Sequence, residues 1–359
     1  MKRKVSIIGT NGLPANYGGF ETLTKYLVRD LSDFFDITVY CSNIHKKKYS
    51  VYGNAKLVYL PLSANGLQGV IYDVLSIVHS LFTQEILLVL GSSGTIALPL
   101  NKIFKRHIVF NFGGLDWQRE KWGLFAKWFL KYSEGVGVRF SNYTIVDNEV
   151  FAAYVFNTYK KHSFLVEYGG DHVSYNPNND YLTKHNLKNG KYFLSISRAQ
   201  EDNNIHLLID YFKDIKDKKL VIISNWKTSD YGINLKNKFG MLENIILIDA
   251  IYDQEELDSI RKSCYCYIHT HSACGSAPSL IEAMCLNLPI ISFDVPANRA
   301  TTENSALYFS SKNEFINIMN GLLDEQIDNL RQKSKDIAEK RYKWKIISEK
   351  YKELLNVQN

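Results

Sequence analysis

The chain has 359 residues, 45% of them apolar, and a net charge of +6. That length suits two domains, each with its own core, and the lack of any run of ~18 uninterrupted apolar residues excludes a spanning helix. The five cysteines, Cys41, Cys264, Cys266, Cys274 and Cys285, have no framework spacing, so they read as reduced thiols of a cytoplasmic protein. The opening "MKRKVSIIGT" has no long apolar core, so no signal peptide is expected. No nucleic-acid motif accompanies the positive charge, and no nucleic-acid partner is expected.

In chain order, "KVSIIG" (4–9) reads as a strand, and Phe20, Leu23, Leu27 and Leu31 then recur at helical spacing. "DITVYC" (36–41) and "AKLVYLP" (55–61) are strands, "GVIYDVLSIVHSLF" (69–82) a helix, and "EILLVLG" (85–91), "HIVFNF" (107–112) and "YTIVD" (143–147) further strands. Runs without strict alternation belong to a parallel sheet covered on both faces. After the polar stretch 172–191 the pattern restarts, with strands at 192–197, 219–224, 244–249, 264–270, 289–294 and 306–310 and helices between them. The expected fold class is α/β: two Rossmann-like, doubly wound domains facing across a cleft. The expected boundaries are 1–172, 173–340 and a terminal amphipathic helix in 341–359 that packs back toward the first domain.

Two loops draw attention. Gly9, Gly12, Gly18 and Gly19 lie between the first strand and first helix, a place where glycines let a ligand approach the backbone and helix N–H groups attract anions. The spacing is not that of a dinucleotide fingerprint. The second loop follows His269-Thr270-His271 and runs through small residues, including Cys274 and Gly275, to Pro278, a residue suited to a helix's first turn. There the Ser279 and Leu280 amides suit a diphosphate, and Glu282 suits a ribose hydroxyl pair. His269 and His271 share one side of a strand. Without a third ligand at convincing spacing, they read as strand-end or substrate-contact histidines, and no metal is expected.

The segment "HTHSACGSAPSLIEAMCLNLPIISFD" resembles the sugar-nucleotide site of retaining family-four glycosyltransferases, which have the two-domain GT-B fold. Glu282-Ala283-Met284 and Pro289-Ile290-Ile291 match that family's pattern; Cys274 stands where its first glutamate would be, and Asn287 replaces a glycine. "SISRAQEDNNIHLLIDYF" matches at Arg198 and has Asn203 where the family has lysine. In "VEYGGDH", Gly169 and Gly170 match a glycine-bearing turn. "YGGFET" and "FGGLDWQREKWG" resemble the bacterial subgroup that contains β-1,4-rhamnosyltransferases of capsule and cell-wall polysaccharide assembly.

The resemblance implies a catalytic set of Arg198, Asp116 and Glu282. Arg198 would neutralise the departing diphosphate. Gly18, Gly19, Gly169, Gly170, Arg198, Asn203, His271, Cys274, Gly275, Ser279, Leu280 and Glu282 would bind the donor. Tyr17, Phe20, Asp116 and Trp117 would bind the acceptor. Asp116 is equally a helix N-cap, and Gly113 stands where the family often has histidine. The donor is expected to be a dTDP- or UDP-linked sugar, best L-rhamnose from dTDP-rhamnose, with no cofactor. The acceptor is expected to be a lipid-linked oligosaccharide, met at the inner face of the plasma membrane. A helix from Trp122 through Phe125 and Phe129, with Arg119, Lys121, Lys127 and Lys131 around it, is either core or a membrane-facing stripe. A sugar-nucleotide 2-epimerase and a non-catalytic nucleotide-sugar-binding protein are the competing readings.

Overall fold

A computed structural model describes residues 2–15, 18–44, 47–118 and 122–357. The chain forms two compact units, one of residues 1–168 with 344–359 and the other of residues 169–343. The divisions therefore fall after Tyr168 and Lys343 rather than after 172 and 340.

The first unit holds an eight-stranded sheet. Its strands are β1 (Arg3–Ile8), β2 (Phe35–Cys41), β3 (Val51–Tyr52), β4 (Ala55–Tyr59), β5 (Ile86–Leu90), β6 (His107–Asn111), β7 (Tyr143–Val146) and β8 (Phe164–Leu165). Their order is β3-β4-β2-β1-β5-β6-β7-β8, all parallel except the β3–β4 hairpin. Val5 pairs with Ile37 on one side and Ile86 on the other, so β1 and β5 mark the point where the order reverses. Ile86, Leu87, Leu88, Val89 and Leu90 are all buried, because helices cover both faces of a parallel sheet. The terminal helix Trp344–Asn356 packs within this unit. Trp344 stacks on Tyr26 with ring centroids 4.4 Å apart, and Asn111 Nδ2 donates to Tyr351 Oη at 2.5 Å.

The second unit holds β9 (Phe193–Ile196), β10 (Leu220–Ser224), β11 (Ile245–Asp249), β12 (Cys266–His269), β13 (Ile290–Phe293) and β14 (Leu307–Phe309). All are parallel, in the order β11-β10-β9-β12-β13-β14. The reversal here lies between β9 and β12. Phe193, Leu208, Phe212, Ile222, Trp226, Ile268 and Phe315 belong to a buried cluster beneath this sheet. Among the described residues no helix is long and apolar enough to cross a membrane.

Candidate functional site

In open α/β sheets, ligands bind outside the carboxyl ends of the strands where the order reverses. In the second unit that place receives the loops after β9 and β12. Arg198 is exposed two residues past the end of β9. The two loops are laced together: Thr270 Oγ1 donates to Asn203 O at 2.6 Å, and Asn204 Nδ2 donates to Thr270 O and Ser272 Oγ, each at 2.9 Å. Arg198 and the β12 loop are thereby held at one strand-end crevice.

Asn203, expected to face the donor, is buried, and its side-chain Nδ2 donates to Arg198 O at 2.8 Å. It fixes the Arg198 backbone and does not replace a lysine charge. The helix Pro278–Cys285 begins as its proline suggests. The Leu280 N–H, however, donates to Ala277 O at 3.0 Å, and the Ser279 side chain is hydrogen-bonded to Tyr267. The expected anion cradle would thus narrow to the Ser279 amide and the small-residue loop before it. Gly275 is buried and Cys274 half-buried in that loop.

Glu282 has another employment than the one expected. Its Oε2 lies 2.7 Å from Arg261 Nη2 and its Oε1 3.3 Å from His172 Nε2. Arg261 is 1% exposed and reaches Asp258 Oδ1 at 2.8 Å with its other Nη atom. Burial pushes the Glu282 carboxyl up, but Arg261 and His172 prevail and hold it below its ordinary range. Asp258, fully enclosed, is raised by burial despite Arg261. A carboxylate has about four lone-pair sites, so a ribose contact would be added to this framework role. Sequence reasoning missed Arg261: an i, i+3 acid–base pair in "ELDSIRKS" looks like a solvated helix face.

Gly170 is also explained by packing. A Cβ there would lie 2.7 Å from Ile281 Cγ2 and 2.9 Å from Cys285 Sγ. The glycine lets the chain lie against the Pro278–Cys285 helix, and no donor is needed to account for it. Gly169 is buried beside it.

The histidines need a correction. The ring centroids of His269 and His271 are 4.3 Å apart. One nitrogen of each and Cys274 Sγ all lie within 4.8 Å of one another. The chain therefore does supply a third ligand atom, which strand spacing alone hid because Cys274 returns from the loop. Burial pushes His269 far down and, with the Arg198 charge, pushes His271 down to about 3.

In the first unit, the opening loop is fixed by a carboxylate from the helix Gly19–Leu31. Glu21 Oε1 accepts from Asn11 N at 2.8 Å, Asn11 Nδ2 at 3.0 Å and Thr10 Oγ1 at 3.2 Å. Gly9 has φ +91°, and a Cβ there would sit 1.9 Å from Leu90 O. Gly18, with φ +128°, lies against the Glu21 carboxylate. Packing against Leu90 and the Glu21 carboxylate thus account for Gly9 and Gly18; Gly19, the first residue of that helix, is exposed. Tyr17 lies outside the described residues.

The Phe20 ring lies beside the carboxyl ends of β5 and β6. Its ring lies 2.8 Å from where a Gly113 Cβ would stand and 3.4 Å from a Gly91 Cβ. With Gly113 at φ +72°, there is no room for the histidine that the resemblance suggests. Asp116 and Trp117 open a short 3-10 turn and are half-buried. Lys131 Nζ lies 4.9 Å from the Trp117 ring, 4.6 Å from Tyr154 and 5.1 Å from Tyr159, and 3.0 Å from Glu134 Oε1. Trp117 therefore forms a wall of a lysine cage. The helix Leu124–Phe140 turns Phe125, Trp128 and Tyr132 outward, at 80%, 63% and 54% exposure. Trp128 stacks on Tyr132 with centroids 5.8 Å apart. Of the expected stripe, Phe125 is exposed while Trp122 and Phe129 are half-buried, so the outward ridge runs instead through Phe125, Trp128 and Tyr132. Arg119 and Lys121 lie outside the described residues.

With this geometry in place, likeness to known proteins becomes informative. Residues 178–344 match the family described as "Glycosyl transferases group 1", and residues 2–171 match "Domain of unknown function (DUF1972)". "Glycosyltransferase 1 domain-containing protein 1" of Xenopus tropicalis is 26% identical over 39% of this chain. "O-antigen chain mannosyltransferase RfbU" of Salmonella typhimurium is 29% identical over 40%. The matched segment spans 41% and 40% of those two relatives. Among solved structures, sucrose-phosphate synthase from Thermosynechococcus elongatus superposes with a TM-score of 0.80, at 15% identity and 98% coverage of both chains. Anabaena HepE in complex with UDP-glucose superposes with a TM-score of 0.75, at 13% identity, covering 98% of this chain and 99% of that one. The fold is that of GT-B glycosyltransferases. The second unit is a group 1 glycosyltransferase domain.

Proposed function

We propose that the chain is a retaining glycosyltransferase of bacterial surface-polysaccharide synthesis. It moves a sugar, best L-rhamnose from dTDP-rhamnose, to a lipid-linked oligosaccharide. The observation that carries this reading is the meeting of Arg198, the His269–Ser279 loop and the entry of the Pro278–Cys285 helix outside β9 and β12 in a group 1 glycosyltransferase domain. The structural neighbour that binds UDP-glucose supports a nucleotide-sugar donor. The relative whose name assigns it to O-antigen chains supports a polysaccharide product.

In the proposed reaction, the bond between the sugar's anomeric carbon and the diphosphate oxygen breaks. The growing negative charge on that oxygen is stabilised by the Arg198 guanidinium and by the Ser279 amide, which the helix entry fixes before reaction begins. The acceptor hydroxyl bonds to the same face of the carbon, and its proton passes to the departing phosphate. No protein base and no metal enter these steps. The first unit is assigned the acceptor. Its exposed Phe125–Trp128–Tyr132 ridge suits the headgroup region of a membrane, where amphipathic rings reside.

The test is incubation with dTDP-rhamnose and with UDP-sugars, in excess EDTA, with and without a lipid-linked saccharide. Acceptor-dependent release of nucleoside diphosphate with retained anomeric configuration is the expected result. Sugar interconversion without acceptor would make the chain an epimerase, and binding without turnover a sensor.

A further inference from the structure

The His269–His271–Cys274 cluster is not used by the proposed reaction. His269 ends β12 and is 1% exposed, and His271 stands two residues on, on the same side. Neither ring's Nε2 has a hydrogen-bond partner, although both atoms are buried. Buried polar atoms without a partner are rare and costly, and they call for an explanation. The backbone beneath them is firmly held: Asn298 Nδ2 donates to His271 O at 3.0 Å, and Ser272 N donates to Asp202 O at 3.1 Å. The loop then returns Cys274, placing all three ligand atoms within 4.8 Å.

We infer that His269, His271 and Cys274 bind a single Zn²⁺-class cation. Zinc–nitrogen bonds of ~2.0–2.1 Å and zinc–sulfur bonds of ~2.3 Å put tetrahedral ligands roughly 3.3–3.6 Å apart. Closing from 4.8 Å requires a shift of about 1 Å, which the small-residue loop carrying Cys274 supplies. Two imidazoles and a thiolate select zinc over magnesium or manganese, which prefer oxygen ligands. On binding, the Cys274 thiol releases its proton to solvent, so the site gains one net positive charge. Three protein ligands leave a fourth position for water. On the function proposed above, the cation is an inhibitor, not a cofactor, because His271 and Cys274 belong to the loop assigned to the donor.

The test is titration of EDTA-treated, reduced full-length chain with Co²⁺. One Co²⁺ per chain, with tetrahedral d–d bands and a thiolate charge-transfer band, both removed by one equivalent of Zn²⁺, is expected. Cys274→Ser should abolish the charge-transfer band. His271→Gln should weaken binding by more than the ~10–100-fold that loss of an outer-shell partner costs. Absence of the bands at saturating Co²⁺ overturns the site, as does a charge-transfer band that survives in Cys274→Ser. Saturating UDP should weaken Co²⁺ binding. Unchanged affinity overturns the inhibitory role alone, and the Co²⁺ bands test the site even if the chain transfers no sugar.

Discussion

Arg261 grips Glu282: Nη2 and Oε2 are 2.7 Å apart, and the same guanidinium holds Asp258 Oδ1 at 2.8 Å. One buried cation therefore neutralises two acidic side chains, from the helices Gln254–Lys262 and Pro278–Cys285. Removing one member of a buried ion pair costs far more than the pair contributes, because the remaining charge stays desolvated. Arg261→Met should destabilise the second unit by about 3–5 kcal/mol, read as a lowered urea midpoint. A midpoint unchanged from wild type would show that the framework does not depend on this cation.

Arg198 is the opposite case. It is exposed at a strand end, so truncation should leave stability within about 0.5 kcal/mol. If it stabilises the departing diphosphate, Arg198→Ala should lower turnover by ~100-fold or more, as loss of a preorganised donor does. Steady-state kinetics beside thermal melts separate the two effects. Near-wild-type turnover in a folded variant would remove Arg198 from the chemistry.

The contrast between these arginines marks what the sequence reveals. Arg198 stands in a local strand–loop–helix pattern, and Pro278 announces its helix by a local rule; apolar runs such as "EILLVLG" and "KLVIIS" likewise declare buried parallel strands. Arg261 meets Glu282 only after two helices pack, and Phe20 meets Gly113 only after β1 and β6 enter one sheet. Cys274 approaches His269 through a loop whose path no periodicity records. Gly9 and Gly170, both read as room for a ligand, have a second explanation in tertiary packing. Gly9 accommodates Leu90 and Gly170 accommodates Ile281 and Cys285.

Asp73 links the first unit's stability to pH. It is 7% exposed in the helix Gly66–Thr83, accepts a hydrogen bond from Ser93 Oγ, and leaves Oδ1 without a partner. Burial pushes its carboxyl from 3.8 up to about 7, with Ser93 opposing only in part. The folded state thus keeps a proton that the unfolded chain releases. The resulting stability is fully present below pH ~4 and is lost as pH rises to about 7, a change on the order of 4 kcal/mol. Asp73→Asn should match or trail wild type at pH 4 and exceed it in melting temperature at pH 8. A variant no more stable than wild type at pH 8 would show that Asp73 ionises freely in the folded chain.

The ridge on the helix Leu124–Phe140 gives the last expectation. Leu124, Phe125, Trp128 and Tyr132 are 88%, 80%, 63% and 54% exposed, and the ring ladder is prearranged, with Phe125 and Trp128 centroids 6.1 Å apart and Trp128 and Tyr132 at 5.8 Å. Burying apolar area of this kind at a lipid surface gains about 25 cal/mol per Å², and rigid rings lose little rotamer freedom in doing so. Because these side chains contribute little to the core, replacing Phe125 and Trp128 by serine should leave the melting temperature within about 2 °C of wild type. The same double variant should lose at least tenfold in affinity for vesicles containing anionic lipid, measured by co-sedimentation. High salt should weaken the wild-type interaction only in part, since screening acts on charges and not on buried rings. Equal sedimentation of variant and wild type would take the membrane away from this face.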